Sequence, residues 1–288
     1  MYQLLTDSEC GLSAATLQDH HIDVISFHLQ VNGHMTDHRL TDQQLADFYA
    51  QLRQGIQPTT AQINIGEYLA FFEPYVAAGN PILFMGLSSG LSGTYASAVQ
   101  ARDILLEKYP QAEIAVVDSL AACAGEGRLL LEAVRLRKNG ATLTETVDWL
   151  NEHKQQLRSW FTVDNLLFLS RGGRISRSSA AIGTLLSIKP LLDVDPDGKL
   201  RLVQKIRTRK RALNALADKV IIALHVDVRQ PILIATSGDW PAAEYVRDAI
   251  LKELPDTDIT IGPIGPTIAC HTGFGCVAVF AMEDHARQ

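Results

Sequence analysis

Pro81-Ile82-Leu83-Phe84-Met85-Gly86-Leu87-Ser88-Ser89-Gly90-Leu91-Ser92-Gly93-Thr94 decides the fold of this chain. Its first seven residues form a compact apolar run that reads as a strand. Small residues then crowd together, and residues 93–109 read as a helix. A strand that runs out into glycine and serine before a helix is the unit of a parallel sheet with helices on its faces.

The same unit repeats on both sides. Upstream, strands are predicted over 2–5 and 24–31, the second turned by Asn32-Gly33. A helix opens at Thr41, a good N-cap, with Gln44 placed for a capping box and Gly55 as its stop. A second helix covers 65–78 and closes at Gly79. Downstream come a strand over 113–117 and helices over 124–138 and 142–158. The pattern then changes. Asp195-Pro196-Asp197-Gly198 between apolar runs at 190–194 and 200–203 signals a hairpin. A helix over 208–225, a strand over 232–236, a helix over 242–254 and strands over 258–261 and 276–281 complete the chain. The reading is an α/β protein with an N-terminal parallel-sheet domain (1–158) and a smaller C-terminal mixed α/β domain (159–288).

Bulk properties narrow the function. The 288 residues are 47% hydrophobic and 20% charged, which excludes a disordered chain. A net charge of −6 argues against nucleic-acid binding and leaves at most transient contact with an anionic membrane surface. Cys10, Cys123, Cys270 and Cys276 form no CxxC or zinc-type spacing. With neither an export signal nor an apolar span, they point to the cytoplasm. His34 and His38 flank Asp37 in a polar loop and read as solvated surface, so no metal is expected.

Ligands of open parallel sheets bind beyond the carboxyl ends of the strands. Four segments compete for that place. Asp7 or Ser8 in Thr6-Asp7-Ser8 either caps the next helix or lies near a ligand or partner. The glycines and serines of 86–94 suit an anion at a helix start, and exceed what one N-cap requires. The segment 58–62 is by itself a loop. The segment 262–275 is a Gly- and Pro-rich loop with His271 and Thr272 at its centre. Neither a phosphate-binding loop nor a dinucleotide fingerprint is present, and no cofactor is expected.

Taken together, TDS at 6–8, Thr60-Ala61-Gln62-Ile63-Asn64, SSGLSGT at 88–94, VDS at 117–119, LSRGGRIS at 169–176, KP at 189–190, RTRKRAL at 207–213 and GPTIACHTGFG at 265–275 resemble the DegV family over nearly the whole chain. The resemblance implies a two-domain fold that holds a long-chain fatty acid in a tunnel between the domains. It also implies a non-catalytic partner of fatty acid kinase, which phosphorylates the bound carboxylate to an acyl phosphate for phospholipid synthesis. By that analogy Thr60 and Ser92 donate hydrogen bonds to the carboxylate, with His271 and Thr272 close by and Ala61 and Gly93 beside them. Ala61 and Ile63 depart from the family pattern, which often has a serine and a proline there, so one head-group donor is missing.

Hydroxyls, amides and an imidazole suit a buried carboxylate that must later react. The tail supplies the affinity, about 11 kcal/mol gross for roughly fourteen methylenes, much of it offset on association. Arg171, Arg174, Arg207 and Arg209, with Lys205, Lys210 and Arg211, read either as a dock for the kinase or an anionic lipid surface, or as a solvated face. Two other functions fit parts of the pattern. Gly86, Ser88 and Gly90 match the nucleophile elbow of a serine esterase, with Asp118 and His271 in triad order. A lipid-sensing regulator would share the carrier's signature.

Overall fold

The computed structural model describes residues 1–36, 40–175, 188–224 and 231–287. The first part of the chain runs β1 (Gln3–Asp7), α1 (Ala14–Asp19), β2 (Ile22–Ile25), β3 (His28–Val31), β4 (His34–Thr36), α2 (Asp42–Arg53), β5 (Thr59–Ala61), α3 (Ile65–Ala77), β6 (Ile82–Gly86), α4 (Thr94–Lys108), β7 (Ile114–Asp118), α5 (Ala124–Lys138) and α6 (Leu143–His153). The deciding stretch forms the expected unit. β6 is buried at every position and sits inside a four-stranded parallel sheet of order β2-β1-β6-β7. Phe84 of β6 packs against Tyr68 and Phe72 of α3, with ring centroids 5.2 and 5.4 Å away. Thr41 and Gln44 close the capping box on α2, and Asn64 and Glu67 close another on α3.

The strand expected over 24–31 is two strands in two sheets. β2 ends at Ile25, and the Phe27 amide donates to Ser8 Oγ at 3.2 Å, which turns the chain out of the parallel sheet. β3 then pairs antiparallel with β4 and β5 in a small separate sheet. An apolar run does not say which neighbour it will pair with, so its pattern reads straight through this break.

The second part runs β8 (Leu157–Thr162), α7 (Leu167–Arg171), β9 (Lys189–Val194), β10 (Leu200–Ile206), α8 (Arg209–Leu224), β11 (Ile232–Thr236), α9 (Trp240–Glu253), β12 (Ile259–Pro263), α10 (Pro266–Thr272) and β13 (Val277–Met282). These strands make a mixed six-stranded sheet of order β10-β9-β8-β13-β11-β12. The helix expected over 142–158 stops at His153, and a short 3-10 turn, Lys154–Gln156, leads into β8. β8 lies between β9 and β13, and that pairing overrides a helical continuation. The hairpin signal holds: the Asp195 carboxylate accepts from the Asp197 and Lys199 amides, both at 2.9 Å, and Gly198 takes φ +73°.

Alternation along β8 and β13 divides the core. Trp160, Val277, Val279 and Ala281 face α8 and α9. Leu157, Phe161, Ala278 and Phe280 face the other way and share one cluster with Leu4, Leu83 and Met85 of the parallel sheet. Helix α5 runs between the two sheets, buried from Ala124 to Leu130. Two glycines let it fit. A side chain on Gly125 would meet the Phe280 ring at 2.8 Å, and one on Gly127 would meet the Cys10 carbonyl at 2.3 Å.

Candidate functional site

Each carboxyl-end segment of the parallel sheet is tied by its own polar groups. Asp7 caps no helix: its carboxylate accepts from the Leu87 amide at 2.8 Å and the Glu9 amide at 2.9 Å, joining the ends of β1 and β6, while Ser13 caps α1. Asp118 accepts from the Ser89 and Leu120 amides at 3.1 and 3.0 Å and orders both loops.

Above these loops, between the two sheets, lies a cavity of about 290 Å³. The first part of the chain gives it Phe27, Leu87, Leu91, Ala122 and Cys123. The second gives Phe161, Val194, Leu200, Ile264, Ile268, Ala278 and Phe280. All six residues expected at a ligand head group line it: Thr60, Ala61, Ser92, Gly93, His271 and Thr272. The local structures that deliver them differ from the expectation. The loop at 58–62 carries β5, pairing Thr60 with Leu29, and the loop at 262–275 carries α10, started by Pro266. Ile63 is buried in the core and anchors the chain entering α3.

Thr60 Oγ1 and His271 Nε2 are hydrogen-bonded at 2.9 Å. The other side of the ring lies against Gly172, where an added Cβ would sit 2.3 Å from Nδ1. Burial, helped by the nearby Arg174 charge, pushes the His271 imidazole down to about 4, so it is neutral near pH 7. Ser92 Oγ accepts from the Thr94 amide at 3.3 Å. The Thr272 hydroxyl donates back to the Ile268 carbonyl at 3.2 Å. Arg174, read from sequence as docking surface, is half-buried in the cavity wall. Its guanidinium donates to the Leu91 and Gly172 carbonyls at 3.1 and 2.5 Å. It puts a cation beside the neutral donors.

Glu9 is the residue that no motif flagged. Fully buried, it accepts from the Ile268 amide at 3.2 Å and so caps the helix that carries His271. Glu126 of α5 is buried with it and accepts from the Thr6 hydroxyl at 2.9 Å. Burial pushes the Asp7 carboxyl up to about 6 and that of Glu9 up to about 8, where the Asp7 charge adds to the effect. Both therefore hold protons in the folded chain that the unfolded chain releases at lower pH. Stability from them is present at low pH and is lost as pH rises, between 3.8 and about 6 for Asp7 and between 4.5 and about 8 for Glu9. The melting temperature falls from pH 5 to pH 8. Glu9→Gln keeps the acceptor oxygen without the charge, flattens that fall and raises the melting temperature at pH 8 by about 5 °C. A parallel fall in the variant, followed by calorimetry, would show that Glu9 does not carry the effect.

The other basic residues separate. Arg171 and Arg207 are exposed. Arg209 is held by the Asp239 carboxylate at 2.9 Å and the Gly275 carbonyl at 2.6 Å, which gives it a structural task instead of a place on an open docking face. The esterase triad is not assembled. The Ser88 hydroxyl is buried and donates to the Gly198 carbonyl at 2.8 Å, Asp118 orders amides, and His271 pairs with Thr60. Among the described residues no His, Cys, Asp and Glu cluster can hold a metal ion, and no helix is long and apolar enough to cross a membrane. Asp37 and His38 lie outside the described residues. All four cysteines are free and buried, and burial pushes their thiols up.

The profile of the family described as "Uncharacterised protein, DegV family" matches residues 1–284. A DegV domain-containing protein of Lactococcus lactis is 40% identical over 290 residues, covering 100% of this chain and 99% of that protein. The structure of a fatty acid binding DegV family protein from Streptococcus agalactiae is 28% identical with a TM-score of 0.86, and 99% of each chain is covered. A DegV family protein from Thermus thermophilus, whose structure is described by its fatty acid binding, is 26% identical with a TM-score of 0.87, covering 98% of this chain and 99% of that one. On sequence and on its fold alike, the chain belongs to the DegV family.

Proposed function

We propose that this protein binds one long-chain fatty acid in the cavity between its sheets and presents the carboxylate to fatty acid kinase for phosphorylation to an acyl phosphate. The observation that carries the reading is the Thr60–His271 pair on the wall of a mostly apolar cavity. A buried carboxylate requires donors, and an acyl tail requires apolar walls. In this reading Thr60 and Ser92 donate to the carboxylate, while His271 and the helix turn at Thr272 shape the pocket around it. Ala61 and Gly93 leave room for the head group. The Arg174 guanidinium offsets its charge without a fixed salt bridge. The fatty-acid-binding relatives from Streptococcus and Thermus support the ligand class. The exposed Arg171 and Arg207 are the docking residues for the kinase in the cytoplasm.

Native mass spectrometry of the purified chain, repeated after organic extraction, tests the reading. One fatty acid per chain is expected, with acyl phosphate forming once kinase and ATP are added. Reversing Arg171 and Arg207 to Glu is expected to slow that transfer at least tenfold with the lipid still bound. A chain that stays free of ligand when fatty acids are added refutes the carrier. Unchanged transfer from the reversed variant refutes the dock.

A further inference from the structure

On the cavity face of the six-stranded sheet, Leu157 and Phe161 of β8 and Ala278, Phe280 and Met282 of β13 are apolar. Ser159 is the departure from that pattern. It stands directly opposite Phe280, is 4% exposed and lines the cavity. Its Oγ has no hydrogen-bond partner among the described residues. It is hemmed in by α5, where a Cβ on Gly125 would come within 3.2 Å of that oxygen. Of the other buried hydroxyls that line the cavity, Thr272 donates to the Ile268 carbonyl, and Thr267, also without a partner within hydrogen-bond distance, lies beside the Glu9 carboxyl, whereas no polar side chain among the described residues is placed against Ser159. An idle buried hydroxyl on an apolar wall is costly unless something in the cavity pairs with it.

We propose that Ser159 is a specificity residue that donates a hydrogen bond to an oxygen substituent, hydroxyl or keto, carried along the bound acyl chain. The inference rests on the fatty-acid reading and deepens it. The Thr60–His271 pair takes the carboxylate and Ser159 reads the chain. Ser159 is on β8, whereas the head-group residues are on β5, the 88–94 loop and α10. The contact is therefore made at one position along the tail, and isomers with the oxygen elsewhere bury it unpaired.

The test is calorimetric titration of the delipidated full chain with stearate and with a positional series of hydroxystearates. One isomer is expected to bind about tenfold more tightly than its neighbours in the series. Comparing isomers cancels the cost of desolvating the added hydroxyl. Ser159→Ala is expected to bring the series within about threefold and to bind stearate more tightly than the native chain, because the idle hydroxyl is gone. A flat series in the native protein, or a preference that Ser159→Ala retains, overturns the proposal and leaves the fatty-acid reading standing. Failure of the native chain to bind stearate or any isomer overturns the fatty-acid reading itself, and this inference with it.

Discussion

Thr60→Val weakens fatty-acid binding by about 10- to 100-fold and leaves the melting temperature within about 2 °C of the native value. The hydroxyl is the only group the substitution removes, because valine has the same shape. A hydrogen bond to a charged acceptor contributes about 1.5–3 kcal/mol, and a carboxylate buried without it bears the full loss. The damage extends to His271, whose Nε2 is held by that hydroxyl at 2.9 Å. Freed from Thr60, the imidazole keeps its seat on Gly172 but loses the partner that fixes its orientation. Stability is spared for a separate reason. Thr60 pairs with Leu29 through the backbone, and valine suits a strand as well as threonine does. Titration of delipidated protein with one saturated acid, beside a thermal melt, checks both halves. An affinity within about threefold of native would remove Thr60 from the head-group site.

Gly127→Ala lowers the melting temperature by about 5–10 °C, opposite to what helix propensity predicts. Inside a helix alanine is worth about 1 kcal/mol more than glycine. Here the added methyl would stand 2.3 Å from the Cys10 carbonyl oxygen and 2.8 Å from the Leu12 side chain. Leucine can turn aside, but the carbonyl belongs to the backbone just after β1, next to the Asp7 and Glu9 contacts. Helix α5 must move instead, and its far side already touches Phe280. Overpacking of this kind costs about 3 kcal/mol, which outweighs the propensity gain. Calorimetry at one pH decides the matter. A melting temperature equal to or above native would mean that the contact relaxes freely.

What the sequence disclosed followed the range of each signal. The strand–loop–helix at 82–108 and the hairpin at 195–198 are local, and both formed as read. The six candidate residues stand in distinctive motifs, and all six line one cavity although they come from segments more than two hundred residues apart. Sheet membership is not local. The split at Ser26 and Phe27 and the strand after His153 depend on partners far along the chain. Proline and glycine around 262–275 hid a helix whose first turn tolerates proline. Arg174 carried the same charge as its neighbours in the basic stretch, and only the fold turned it toward the cavity while leaving Arg171 exposed. Glu9 and Ser159 belong to no motif. A buried acid and an idle hydroxyl become visible only when their surroundings are known.

Helix α5 has no solvent face over its first two turns, since one sheet claims one side and the second sheet the other. The two parts of the chain thus share a wall. A fragment ending before β8 would keep the helix but expose the flank that meets Phe280. The complementary fragment would expose the apolar face of its own sheet. Each half keeps a hydrophobic cluster of its own, but the cluster around α5 belongs to both.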